Sequence, residues 1–254
     1  MTATRRLGSE QAFHDRQAAL RATILAHPET LRFADDAWLD HETWVRPAVE
    51  RLGEVRGRTV LDLGCGHGMA AVVLARRGAT VTAMDLSAGY LLEARRRADA
   101  NEVDVAFVQG DGEALPFADA TFDCIWGNAV LHHLRPQVAG RELRRVLVPR
   151  GVAIFCEPWG ENPLLSWVRS RLPYPGKERT VHEEPLRRRD LARLRESFPD
   201  LHCEGFQLLG MARRLTGPGR LASAMQWCDD RLLRRAPGLW RFCRYVVLTC
   251  RRQA

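Results

Sequence analysis

The stretch Val60 to Gly68, VLDLGCGHG, decides how the rest of this 254-residue chain is read. Val60, Leu61 and Leu63 pattern as a strand buried on both faces. Gly64, Gly66 and Gly68 then make a turn without Cβ atoms, where a ligand can approach the backbone. The helix expected next, over His67 to Arg77, would point its first amide groups at whatever fills that turn. The pattern marks a nucleotide-type cofactor site. A dinucleotide fingerprint would need glycine at position 69, which is Met69, and the phosphate-cradling G-x-x-x-x-G-K-[ST] loop is absent.

Working outward, apolar runs alternate with amphipathic helices. Strands are expected near 59–63, 80–85, 104–108, 122–127 and 151–157, then near 201–210 and over Tyr245 to Cys250. Alternation of this kind predicts an α/β fold, a doubly wound and mostly parallel seven-stranded sheet with helices on both faces. Ser87 is placed to cap a helix running to about Ala100, with Tyr90 one turn inside it.

With Asp62 two residues before the first glycine, the turn reads D-x-G-x-G-x-G and closely resembles the class I S-adenosylmethionine-dependent methyltransferases. Further blocks carry the resemblance in the family's order over about residues 55 to 158: VTAMDLS ending near Asp85, VQGDGEALPF around Asp111, FDCIWGNAVLHHL from Phe122, and ELRRVLVPRGVAIFCEP from Glu142. In the last block Arg150 stands where the family usually has glycine. The resemblance implies S-adenosylmethionine as cofactor and S-adenosylhomocysteine as product. It places Asp62, Gly64, Cys65, Gly66 and Gly68 at the turn, and Asp85 with Leu86 on the ribose. Asp111 with the Gly112 amide falls on the adenine, Asn128 on the adjoining wall. The last strand would be the family's reversed partner in the edge hairpin.

Methyl transfer to a hydroxyl, amine or carbon also removes a proton, and a histidine is a natural base near neutral pH. His132 and His133, in the loop after the fourth strand, are the catalytic candidates, with Glu157 at the end of the fifth. His14, His41, Tyr90, Trp159, Tyr174 and His182 are candidates for the acceptor pocket. Core packing is the expectation for Trp126 and Trp167. No H-x-x-x-E or C-x-x-C spacing points to a metal, so none is expected.

Helical patterning over 9–27 and 36–53 predicts an N-terminal helical cap, residues 1–54, ahead of a methyltransferase domain over 55–254. Within that domain 158–186 and 212–240 read as lid-like insertions. The net charge of +7 invites a nucleic-acid reading, but Lys177 is the sole lysine among 38 basic residues. That skew fits high-GC codon usage, and the arginines sit in short groups, Arg95 to Arg97, Arg187 to Arg189 and Arg213-Arg214, on amphipathic helices. Seven cysteines without C-x-x-C spacing fit a reducing compartment, and no apolar run is long enough for a membrane span or signal peptide. A cytoplasmic, soluble monomer or homodimer without membrane contact is expected. The function expected is methyl transfer to O, N or C of a small organic acceptor, an aromatic secondary metabolite being one candidate. An RNA methyltransferase and a non-enzymatic S-adenosylmethionine binder are the alternatives.

Overall fold

The computed structural model describes residues 3–24, 27–171, 184–212 and 219–254. Its centre is the expected sheet. β1 (Thr59–Leu63) lies between β2 (Thr80–Asp85) and β4 (Phe122–Asn128), with β3 (Ala106–Gln109) beyond β2 and β5 (Leu147–Pro158) beyond β4. These five run parallel. β7 (Tyr245–Arg251) pairs antiparallel with both β5 and β6 (His202–Phe206), giving the order β3-β2-β1-β4-β5-β7-β6. Strand order reverses between β1 and β4, the crevice where open α/β sheets bind their ligands.

Side chains alternate across the central strands and both faces are covered, so the strands read as continuous apolar runs. Val60, Cys124, Trp126, Ile154 and Cys156 face one cluster, shared with α2 (Asp35–Leu39), α3 (Val45–Leu52) and α4 (Met69–Arg76). Leu61, Leu63, Ile125 and Phe155 face the other, shared with α6 (Pro136–Val146) and α8 (Arg188–Arg195). α5 (Ala88–Ala100) starts at Ser87, whose hydroxyl accepts from the Tyr90 amide at 3.1 Å as expected for an N-cap.

Several expectations need correction. The single helix over 36–53 is two, α2 and α3, because Pro47 has no amide to continue a helix from Thr43 and its ring would clash there. β5 starts at Leu147, four residues early, and β6 stops at Phe206. Arg150, at φ +66°, holds the left-handed conformation that glycine would adopt without strain. Trp126 is fully buried, edge-on to Trp38, but Trp167 on α7 (Pro163–Arg171) is 53% exposed. After β6, α9 (Arg220–Arg235) is tied down by buried Asp229, which accepts the amides of Leu208, Leu209 and Gly210.

Candidate active site

A cavity of about 420 Å³ opens beyond the carboxyl ends of β1, β2 and β4. Its floor is the glycine turn and the strand ends: Gly64, Gly66, Asp85, Leu86, Asp111, Gly112 and Asn128 all line it. Its cover is α1 (Ala3–Ile24), which contributes Leu7, Glu10, Phe13, His14 and Gln17. His132 and His133 close one side, on the short helical turn Leu131–His133 after β4.

The three glycines of the turn do different jobs. All have positive φ, but a Cβ on Gly64 would lie 2.6 Å from Val130, and one on Gly68 2.7 Å from Ala94 of α5. Those two glycines let β1 and α4 pack against their neighbours. Gly66 alone of the three faces open space, and its amide donates to Asp85 Oδ2 at 2.8 Å. Gly68 and Cys65 therefore do not line the cavity. The Cys65 side chain packs in the core, where burial and then the nearby carboxylates of Asp62 and Asp85 push its thiol well up.

Asp85 is the electrostatic centre of the floor. It is 9% exposed and accepts the Ser87 amide at 2.9 Å as well as that of Gly66. Burial raises its pKa, partly offset by these amides. Each oxygen keeps acceptor capacity for a further donor. Asp111 lines the same floor, its Oδ1 accepting the Glu113 amide at 2.8 Å. Asp62 lies beneath, 2% exposed and outside the lining. It accepts the Ala71 amide, so it meets the N-terminal end of α4, and its Oδ2 has no hydrogen-bond partner among the described residues. Burial, and then the Asp85 charge, pushes Asp62 up to about 7.

The catalytic candidates separate in the same way. Glu157 is fully buried and does not reach the cavity. Oε1 accepts the amides of Val130 and Leu131 at 2.9 and 2.8 Å, and Oε2 lies 2.7 Å from His132 Nδ1. These contacts fix the loop after β4 and orient the His132 ring. His133 lies at the cavity with Nδ1 3.2 Å from Glu10 Oε2, and the His14 ring stands edge-on to it with centroids 5.4 Å apart. Burial, then the neighbouring His133, lowers the His14 pKa.

Of the acceptor-pocket candidates, His14 and Tyr90 line the cavity. The Tyr90 hydroxyl donates to Gln17 Oε1 at 3.1 Å, bracing α1. His41 is exposed on the turn between α2 and α3, away from the lining. Trp159 is a core residue, its indole N–H donating to the Arg241 carbonyl at 2.9 Å. Tyr174 and His182 lie outside the described residues. No described residue of 158–186 or 212–240 lines the cavity, so the cover seen here is α1 rather than either insertion.

Sequence reading missed Glu10, Phe13, Gln17 and His67. Leu7, Glu10, His14 and Gln17 follow helical spacing, but a stripe this polar does not read as a buried face. Glu10 and His14 also form an E-x-x-x-H pair, the reverse of the H-x-x-x-E order sought as a metal signal. His67 falls in the glycine turn. Burial, then the charges of Arg97 and Arg21, lowers it to about 4.

Comparison with known proteins agrees with this geometry. Residues 61–155 match the family model for the methyltransferase domain. A demethylmenaquinone methyltransferase of Beutenbergia cavernae is 39% identical over 121 residues, 46% of this chain and 49% of that protein. A fatty-acid O-methyltransferase of Mycolicibacterium smegmatis is 38% identical over 137 residues, 52% and 45% of the respective chains. The chain thus spans about half the length of the curated relatives it matches. Among solved structures, the geranyl diphosphate C-methyltransferase of Streptomyces coelicolor A3(2) superposes with a TM-score of 0.58 at 19% identity, over 82% of this chain and 77% of that one. At that identity the likeness shows the fold.

Proposed function

We propose that this chain, a class I S-adenosylmethionine-dependent methyltransferase, moves the cofactor's methyl group to a small organic acceptor held between α1 and the loop after β4. The observation that carries this reading is Asp85. A buried carboxylate, fixed by the amides of Gly66 and Ser87 and facing a cavity at the sheet's switch point, suits the paired hydroxyls of a ribose. Asp111 and the Gly112 amide then take the adenine, and the open face of Gly66 lets the rest of the cofactor lie against the backbone. With Glu10 also in the lining, the cavity favours a cationic ligand, as a sulfonium is.

The cofactor supplies an electrophilic methyl group, and the protein supplies position. Holding nucleophile and methyl carbon in line is worth up to ~7–11 kcal/mol. His133 is the side chain placed to engage the acceptor's reacting atom, with Asn128 on the same wall. Glu157 and His132 support it by fixing the loop.

The relatives whose names cite demethylmenaquinone and fatty acids favour a small-molecule acceptor here. Members of the arginine groups weighed for nucleic acid are engaged locally. Arg97 is buried against Glu93, Arg95 lies over the Phe107 ring, and Arg189 pairs with Glu184. Arg213 and Arg214 lie outside the described residues. No helix among the described residues is long and apolar enough to cross a membrane.

The test is to incubate the protein with methyl-labelled cofactor and cell fractions. Label should enter the small-molecule pool. Label in RNA would favour the nucleic-acid alternative, and none anywhere despite cofactor binding would favour a non-enzymatic binder. His133→Ala should lower turnover by ~10²-fold or more with cofactor affinity nearly intact; unchanged turnover removes His133 from the mechanism.

A further inference from the structure

Glu10, His14 and His133 bring a carboxylate and two imidazoles together on one side of the cavity. Glu10 and His14 stand one turn apart on the same face of α1, with Glu10 Oε2 3.8 Å from His14 Nε2. His133 reaches them from the turn after β4, its Nδ1 3.2 Å from the same Glu10 oxygen. One ligand atom from each residue falls within 4.8 Å of the other two. A zinc ion with bonds of ~2.0–2.1 Å in tetrahedral geometry holds its ligand atoms ~3.3 Å apart. The separations of 3.2 and 3.8 Å from the shared Glu10 oxygen lie close to that spacing. The side chains are 8%, 23% and 17% exposed, which shields the group while leaving it open to the cavity.

We propose that Glu10, His14 and His133 bind a divalent transition-metal ion that faces the acceptor side of the cofactor cavity. Imidazole nitrogen with one carboxylate selects zinc, cobalt, nickel or iron(II) over magnesium or calcium, which prefer all-oxygen sites. Three protein ligands leave an open position, the arrangement of catalytic rather than structural sites. A hydroxyl oxygen occupying it would be polarised and would release its proton to solvent; the resulting alkoxide would form the new O–CH3 bond as the sulfonium S–CH3 bond breaks, leaving the neutral thioether. The acceptor class that fits is a hydroxyl, an alcohol or phenol whose proton the ion makes easier to remove. This last step rests on the methyl-transfer reading, whereas metal binding does not.

Two of the three ligands belong to the cover and one to the body of the protein. The ion would therefore also hold α1 closed over the cavity, and the metal-free protein should open there more readily.

The test uses the whole protein, stripped of metal by a chelator and titrated with cobalt(II) as a spectroscopic probe of zinc sites. Wild type should take up one equivalent with visible absorption of a nitrogen and oxygen site, distinct from the intense charge-transfer bands of thiolate binding. His14→Ala, Glu10→Gln and His133→Ala should each bind more than tenfold more weakly, since even outer partners of a metal site shift affinity by ~10–100-fold. His202→Ala, at the exposed first residue of β6, is the control and should bind as wild type does. Three ligand variants keep the test readable if one fails to fold. Absence of the cobalt spectrum in wild type, or its equal strength in all three ligand variants, overturns the site. Cobalt binding without label transfer to any acceptor would sink the methyl-transfer reading and leave the site standing; label transfer without cobalt binding would do the reverse.

Discussion

The floor and the cover of the cavity are held by different forces. Under the floor, Val60, Leu61, Cys124, Ile125 and Trp126 are wholly buried, and apolar burial at about 25 cal/mol per Å² fixes the strand ends that carry Asp85 and Asn128. The cover, α1, has one buried apolar residue among its described side chains, Ala18, and leaves Leu20 63% exposed. It is fastened by polar contacts instead. Asp15 accepts from the Ser87 hydroxyl and the Gly89 amide at the start of α5, Gln17 meets Tyr90, and Arg21 pairs with Glu93, which also pairs with Arg97. Such bonds contribute about 0.5–1.5 kcal/mol each, more where charged. The difference predicts a rigid cavity floor under a helix that opens at lower free energy than the sheet does.

The comparison can be broken first at the floor. Asp85→Ala removes charge-assisted hydrogen bonds of ~1.5–3 kcal/mol each, so S-adenosylhomocysteine should bind at least ~10²-fold more weakly by calorimetry. An unchanged Kd would show that Asp85 does not carry the cofactor.

At the cover, Glu93 is nine-tenths buried between two arginines. Burial pushes its carboxyl up, and the bonds from Arg21 and Arg97 outweigh that and hold it below the usual range. Glu93→Gln leaves Arg97 buried beside a neutral amide and should cost about 2 kcal/mol, less than outright removal of a partner. Hydrogen exchange should show the loss in α1 and α5 while β1 and β4 stay protected; equal loss everywhere would mean that cover and floor unfold as one unit.

A pH series sharpens the account of the floor. Asp62 is raised from 3.8 to about 7, so the folded protein keeps a proton that the unfolded chain has released. Its contribution is complete below about pH 4 and is lost as pH rises toward 7, by at most ~1.4 kcal/mol per pH unit. Asp62→Asn should remove that loss. The stability advantage of the variant over ligand-free wild type should grow from pH 5 to 7 and then level off. Denaturant titrations that show a constant gap would place Asp62 in a more polar setting.

The smallest effect lies away from both regions. Arg150→Gly relieves left-handed strain near the start of β5 and should stabilise the protein by about 0.5–1 kcal/mol, the balance of ~1–2 kcal/mol of strain against glycine's greater chain entropy. A fall in melting temperature would mean that the Arg150 side chain contributes more than its backbone loses.

The sequence by itself determined the sheet, the glycine turn and the acids at the strand ends. Each depends on local rules: apolar runs for strands buried on both faces, left-handed φ at glycines, Ser87 as a helix cap. VLDLGCGHG could be placed because Asp62, Gly64, Gly66 and Gly68 meet those rules within one turn. Only the tertiary structure decided which of these residues line the cavity and which serve the packing around it. Gly64 and Gly68 are glycine for the sake of Val130 and Ala94, Glu157 serves the loop after β4, and Trp159 fills the core. It also decided the cover. Glu10 and His14 are far from His133 in the chain; His14 could be named from the sequence as a pocket candidate, but nothing in the helix alone marks Glu10 or brings either residue to His133. They meet because α1 crosses the carboxyl ends of the strands, an arrangement set by long-range polar contacts to α5 that no local periodicity encodes.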